Sequence, residues 1–147
     1  VNSKHLKIRI DQCKLIASNS PCPRGRVGAI ILDPESNAII SDGFNGTPRK
    51  STGQLCSGSF CKREIDNIVS GTQNDIGCHH AEANAILNAA RIGVSTLNRW
   101  LIVNRDPCLM CSKLIHHAGI IRVYSPKLEQ TAGLTYLKDN GVEVIAI

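Results

Sequence analysis

The side chains of this sequence best suited to chemistry are His80 and Glu82, within Cys78-His79-His80-Ala81-Glu82-Ala83-Asn84-Ala85-Ile86, and Cys108 and Cys111, within Pro107-Cys108-Leu109-Met110-Cys111. One imidazole and two thiolates form a three-ligand set for zinc that leaves the fourth tetrahedral position open, as a catalytic site requires. Zinc held in this way lowers the pKa of a bound water from about 15.7 towards about 7. Glu82, a carboxylate not needed as a ligand, can then carry the proton. The alternative is a closed structural zinc with Cys78 or His79 as the fourth ligand, a site that has no use for a glutamate at position 82.

Two helix starts must face one another if these residues are to meet. His80 and Glu82 are two apart, about 200° around a helix axis, so both can point at one metal only where the first of them is not yet helical. Helix N-termini also carry unpaired N–H groups and partial positive charge, which favour the thiolate form of cysteine. The flanking sequence supplies such helices. Ala81 to Arg91 is alanine-rich, with Ile86, Ala89 and Ala90 expected inward and Gly93 as its stop. Pro107 suits a first helical turn, and Cys111, Leu114, Ile115 and Ala118 give the second helix an inner face that Gly119 closes.

The other elements follow from periodicity. Leu6, Ile10, Cys13 and Ala17 mark one buried stripe of a helix over residues 3–18, where Cys13 serves as a small hydrophobe. Residues 27–32 and 38–41 form a hairpin around Asp33-Pro34-Glu35-Ser36-Asn37. From Asp42 the chain is expected to turn irregular, and residues 47–77 show no clean period beyond a helical turn near Ile65, Ile68 and Val69. Strands are expected at 100–103, 120–124 and 142–146, with a helix over 131–138 that buries Leu134 and Leu137. The alternation in the second half predicts parallel strands with helices on both faces. Together these give an α/β protein, a three-layer α/β/α sandwich around a five-stranded mixed sheet, with residues 1–147 as one domain.

Composition narrows the class. A chain of 147 residues with 42% hydrophobic and 20% charged residues can bury its own core. No apolar run approaches the length of a membrane span and the start lacks a signal-peptide core, so the chain reads as cytoplasmic; the absence of an initiator methionine suggests a trimmed start. Seven cysteines, an odd number beside histidines, favour metal over disulfides. The net charge of +5 is scattered, and aromatics make up only 3%. A small nucleotide suits this better than a long nucleic acid, which would need stacking platforms.

The pattern His-x-Glu…Pro-Cys-x-x-Cys is the signature of the zinc nucleobase deaminases. Arg24-Gly25-Arg26-Val27-Gly28-Ala29-Ile30, Gly43-Phe44-Asn45-Gly46-Thr47-Pro48 and the two zinc stretches together resemble the deoxycytidylate (dCMP) deaminases of phage and bacterial type, in the cytidine deaminase superfamily. The resemblance covers nearly the whole chain from about Ser18, and the Gly-Phe-Asn-Gly stretch points to dCMP within the superfamily. It implies zinc on His80, Cys108 and Cys111, proton transfer by Glu82, and hydrolysis of dCMP to dUMP and ammonia. It also implies that Asn45 and Ala81 lie at the nucleotide and Arg26 near its phosphate; the alternative for Arg26 is an ordinary surface arginine before a strand.

Further implications concern regulation and assembly. The resemblance implies a homo-oligomer, a hexamer for preference, activated by dCTP and inhibited by dTTP. Gly43, Phe44, Gly46 and Arg91 would lie near the effector, and magnesium would enter only with a triphosphate. Arg91 is otherwise a helix-end cation suited to the dipole. Cys22, Cys56, Cys61 and Cys78 match cysteines of relatives with a second, structural zinc, with His79 as a replacement ligand; otherwise they are free thiols. The sequence departs from the family at Asn104-Arg105-Asp106, where a Thr-Leu-x run is usual, and at Leu128, where a tyrosine is expected. Competing functions are deamination of a tRNA adenosine or of free cytidine, and a non-catalytic zinc-stabilised nucleotide-binding module.

Overall fold

The computed structural model describes residues 2–48, 56–57, 60–70, 72, 74–128 and 130–147. Helix α1 (Ser3–Ala17) starts at Asn2, whose Oδ1 accepts the His5 N–H at 2.9 Å. Strand β1 (Gly28–Leu32) follows and is buried along its whole length. A strand covered on both faces reads as an unbroken apolar run, which explains Ala-Ile-Ile-Leu. Its side chains alternate between two cores: Ile30 and Leu32 meet α1 through Cys13, Leu6 and Ile10, while Ala29 and Ile31 enter the larger cluster opposite.

β2 (Ile39–Phe44) pairs antiparallel with β1. After it come a short hairpin of β3 (Cys56–Ser57) and β4 (Phe60–Cys61) and a single turn, α2 (Lys62–Ile65). Next is α3 (Ala81–Ile92), which ends at Gly93 with φ +76°, a left-handed cap that glycine adopts without strain. Then β5 (Trp100–Val103), α4 (Leu109–His117), β6 (Arg122–Ser125), α5 (Ala132–Asp139) and β7 (Glu143–Ala146) alternate. β5, β6 and β7 run parallel, β5 lies antiparallel to β1, and the sheet order is β2-β1-β5-β6-β7. α1 covers one face and α3, α4 and α5 the other, so the predicted three-layer α/β/α sandwich and five-stranded mixed sheet are present.

Several local expectations need correction. β2 runs on through Asp42, Gly43 and Phe44, because those residues pair with β1 and lie against α3. The β3–β4 hairpin was not foreseen, and the helical turn starts at Lys62 instead of near Ile65. Residues 49–55, 58–59, 71 and 73 of the long 47–77 stretch lie outside the described residues. Ala90 and Leu114 are exposed, not inward; Ala85 and Ala89 line the α3 face turned to the sheet. Pro107 precedes the Cys108 cap and is not inside α4.

Leu101 is fully buried in the larger core. Leu101→Ala is expected to destabilise the fold by about 3 kcal/mol through lost apolar contact and a residual cavity. Urea unfolding would show a lower midpoint at unchanged slope, and a loss under about 1 kcal/mol would mean that the neighbours collapse into the space.

Candidate active site

The two helix starts face one another. His80 is the N-cap residue of α3, with extended backbone (φ −78°, ψ 151°), and Cys108 is the N-cap residue of α4 (φ −70°, ψ 167°). Because each cap lies outside its helix, His80 can turn towards Cys108 and Cys111 while Glu82, already helical, reaches the same place. The positioning is reinforced from the sheet side. Gly46 and His79 exchange backbone hydrogen bonds (Gly46 N to His79 O, 3.1 Å; His79 N to Gly46 O, 2.8 Å), which tie the entry of α3 to the end of β2.

His80 Nδ1 lies 3.6 Å from Cys108 Sγ and 3.4 Å from Cys111 Sγ. A zinc with Zn–N of about 2.0–2.1 Å and Zn–S of about 2.3 Å in tetrahedral geometry would place such donors about 3.6 Å apart. The trio therefore fits zinc by donor chemistry and by spacing. Among the described residues, it is the one cluster whose donor atoms all lie within 4.8 Å of one another. Neither Cys78 nor His79 joins it, so the closed four-ligand arrangement is not formed.

The electrostatics match. Hydrogen bonds from the Cys111 thiol, from His80 and from the Cys111 backbone N–H bring the Cys108 thiol down to about 4. Its Sγ accepts from Cys111 N at 3.4 Å, the unpaired amide of a helix start. The Cys111 thiol, donor to Cys108 and buried, is pushed upward. His80 is raised by its bond to Cys108. Glu82 is 5% exposed and hydrogen-bonded to Cys111, and burial raises its carboxyl above the usual range. A buried carboxyl with raised proton affinity thus stands beside one thiolate, Cys108, and one thiol, Cys111.

The remaining predicted residues separate into groups. Asn45 is buried and its amide is engaged by the loop before β1: Oδ1 accepts Val27 N at 2.8 Å, and Nδ2 donates to Gly25 O at 2.9 Å. Ser20 Oγ donates to the Asn45 carbonyl at 2.7 Å. Arg26 is exposed, and Ala81 is fully buried at the start of α3. Gly43 lies against the α3 backbone, where a Cβ would be 2.5 Å from Ala85 N and 2.6 Å from Ala81 O. Phe44 is partly exposed, and its carbonyl accepts from Asn84 Nδ2 at 2.8 Å. Arg91 lies elsewhere, in an open groove of about 480 Å³ with Ser41, Asp42 and Asn88. Gly43, Phe44 and Gly46 do not line that groove.

The four other cysteines gather more loosely. Cys56 and Cys78 share a hydrogen bond, Cys22 and Cys61 lie within electrostatic reach of Cys56, and Cys56 faces Cys61 across the β3–β4 hairpin. Burial pushes the Cys78 thiol up to about 12.

Three positioning features were not foreseen. Asn104 Oδ1 accepts Gly28 N at 2.9 Å and its Nδ2 donates to Arg26 O at 3.2 Å. Asp106 accepts Lys127 N at 2.6 Å and Leu128 N at 2.9 Å. Gly133 of α5 sits so close to the ligand loop that a Cβ would run into the Pro107 carbonyl oxygen. The sequence signals were the unusual Asn-Arg-Asp and a glycine inside a helical stretch.

The family model for the cytidine and deoxycytidylate deaminase zinc-binding region matches residues 3–126. A deoxycytidylate deaminase of Mycobacterium phage D29 is 35% identical over 117 residues, covering 76% of this chain and 85% of its own. That of Schizosaccharomyces pombe is 35% identical over 121 residues, 78% of this chain; this chain spans only 34% of that relative's length. The crystal structure of the cyanophage S-TIM5 dCMP deaminase, in complex with dCMP and dUMP, superposes with a TM-score of 0.80 at 29% identity, covering 100% of this chain and 99% of that one. With the match running from α1 to the end of β6 and enclosing both helix starts, this chain belongs to the cytidine and deoxycytidylate deaminase family.

Proposed function

We propose that this protein is a zinc-dependent deaminase that hydrolyses dCMP to dUMP and ammonia. The observation that carries this reading is the His80–Cys108–Cys111 trio at two facing helix starts, with the buried Glu82 carboxyl beside it. His80 Nδ1 and the sulfurs of Cys108 and Cys111 would hold the metal. Zinc bound there supplies a Lewis acid that makes a water acidic near neutral pH. Glu82 takes one proton from this water and passes it to the ring nitrogen beside the amino-bearing carbon; it then takes the second proton, from the hydroxyl added to that carbon, and passes it to the departing amino group, so that the carbon–oxygen double bond forms as the carbon–nitrogen bond breaks. The amino carbon gains oxygen and loses ammonia, so cytosine becomes uracil. Burial of Glu82 keeps bulk water from competing for the proton.

The choice of dCMP rests on the Gly43–Pro48 segment and on the phage relatives, one solved with dCMP and dUMP. Asn45 braces the loop 25–27 and thereby shapes the nucleotide's rim, with Ala81 at the floor and Arg26 on the outer edge. Regulation by dCTP and dTTP is part of the same reading; the cation in the Arg91 groove supports it, more than Gly43, Phe44 and Gly46 do. Magnesium would enter only with such a triphosphate. A structural zinc on Cys22, Cys56, Cys61 and Cys78 belongs to the same reading; the Cys56–Cys78 hydrogen bond supports it, although the four sulfurs are not drawn together at ligand spacing as the His80 trio is. A homo-oligomer, hexameric for preference, working in the cytoplasm on free nucleotides completes the proposal; among the described residues no helix is long and apolar enough to cross a membrane.

Purified zinc-loaded protein is expected to turn over dCMP at least tenfold faster than cytidine, with no activity on a tRNA anticodon stem. Ammonia release measured on the three substrates decides this. Failure to act on dCMP, with and without dCTP, would remove the proposal.

A further inference from the structure

The segment that leads into the metal-ligand loop builds a frame around one cation. Asn104, Arg105 and Asp106 connect the end of β5 to the metal-ligand loop. Asn104 binds the segment before β1 through Arg26 O and Gly28 N. Asp106, with one oxygen on Lys127 N and the other on Leu128 N, holds the turn after β6, where Lys127 has a left-handed φ of +52°. Between these two anchors the Arg105 guanidinium lies against Gly25: a Cβ there would sit 2.6 Å from Nη2 and 3.2 Å from Nη1. The Gly25 carbonyl in turn accepts from Asn45 Nδ2, which joins the guanidinium's resting place to the Asn45–Gly46–His79 path leading to His80.

Arg105 is exposed, and among the described residues no carboxylate pairs with it. Its neighbour Arg24 is partly engaged, with Nη2 on Ile68 O and Nε 3.8 Å from Glu64, and its Nη1 is buried with no partner among the described residues. A guanidinium is a planar fork that matches two phosphate oxygens, and it gains most when its position is fixed beforehand.

We infer that Arg105, held against Gly25 between the Asn104 and Asp106 anchors, is the specificity-determining residue that binds the phosphate of the nucleotide and so separates nucleotide from nucleoside. This rests on the deaminase reading for the ligand. It differs from the family expectation, in which Arg26 is the basic residue near the phosphate.

The test is an equilibrium titration of the zinc-loaded protein with dCMP and with deoxycytidine, in a Glu82→Gln background so that neither ligand is consumed. Arg105→Leu is expected to lower the dCMP-to-deoxycytidine affinity ratio by about 10- to 100-fold, the worth of a charge-assisted hydrogen bond pair. Arg105→Lys, which keeps a point charge without the fork, should lose less, and added salt should weaken dCMP binding more in the parent than in Arg105→Leu. An unchanged ratio overturns the inference, including the case in which both ligands weaken equally, which is what a merely structural role would give. A large fall in the ratio with Arg26→Leu but not with Arg105→Leu also overturns it. Turnover of dCMP by the unsubstituted enzyme is measured separately: none, with the ratio shift intact, would remove the deaminase and leave Arg105 as a phosphate ligand.

Discussion

Glu82→Gln is expected to lower kcat on dCMP by about 10⁴-fold, at the upper end of what a positioned general acid–base contributes, while zinc content measured by elemental analysis stays at the parent's value. The amide fills the same volume at the start of α3 but cannot take and return a proton. Nothing else at the site should move, because His80, Cys108 and Cys111 form their cluster without it. The paired measurement separates two roles that activity alone would confuse. If zinc is lost together with activity, Glu82 supports the metal and the assignment of the proton carrier is wrong. If more than about a tenth of the activity remains, another group or water carries the proton.

The chemistry of this site was legible because it depends on spacing within short segments. His80 and Glu82 lie two apart and Cys108 and Cys111 three apart, and each pair has its helix beside it, so the requirement that His80 be not yet helical could be stated from the sequence and is met. The fold was legible for a related reason. β1 is apolar on both faces, the later strands alternate with helices, and these patterns leave few topologies.

What periodicity could not give was the side of a helix that finds a neighbour. Leu114 and Ala90 belong to apolar stripes, yet both are exposed, whereas Ala85 and Ala89 face the sheet because small residues let β2 approach α3 at Gly43. Two-residue strands such as β3 and β4 carry no period at all. Side-chain partners across the fold were hidden as well. Asn45 was expected at a nucleotide, and its amide turns out to be bonded to Val27 and Gly25, a bracing role that no local motif announces. Asp106 was noted only as a departure; its reach to Lys127 and Leu128 needed the turn after β6 to fold back beside the ligand loop.

That closeness of α5 to the ligand loop gives the second large effect. Gly133→Ala is expected to reduce zinc affinity by at least tenfold and to destabilise the protein by about 2–4 kcal/mol, the range of core overpacking against atoms that cannot rotate away. In an ordinary helix the same change would stabilise by about 1 kcal/mol, since alanine is the better helix former. The sign reverses because the added methyl meets backbone: it would run into the Pro107 carbonyl oxygen and lie 2.8 Å from Ser112 Oγ and 2.9 Å from the Cys108 carbonyl carbon. Either α5 withdraws from a core that includes Leu134 and Leu137, or the Pro107–Cys108 peptide moves and carries a metal ligand with it. Zinc release measured against a chromogenic chelator reads the second outcome, and a thermal melt of the zinc-loaded protein reads the sum. Adding the substitution Gly141→Ala as a comparison sharpens the test, because a Cβ there meets nothing within 4 Å and its strain comes only from φ +80°. A Gly133→Ala protein that binds zinc like the parent and melts no lower would show that the loop has slack, and the close packing of α5 on the ligand loop would then have no part in holding the site.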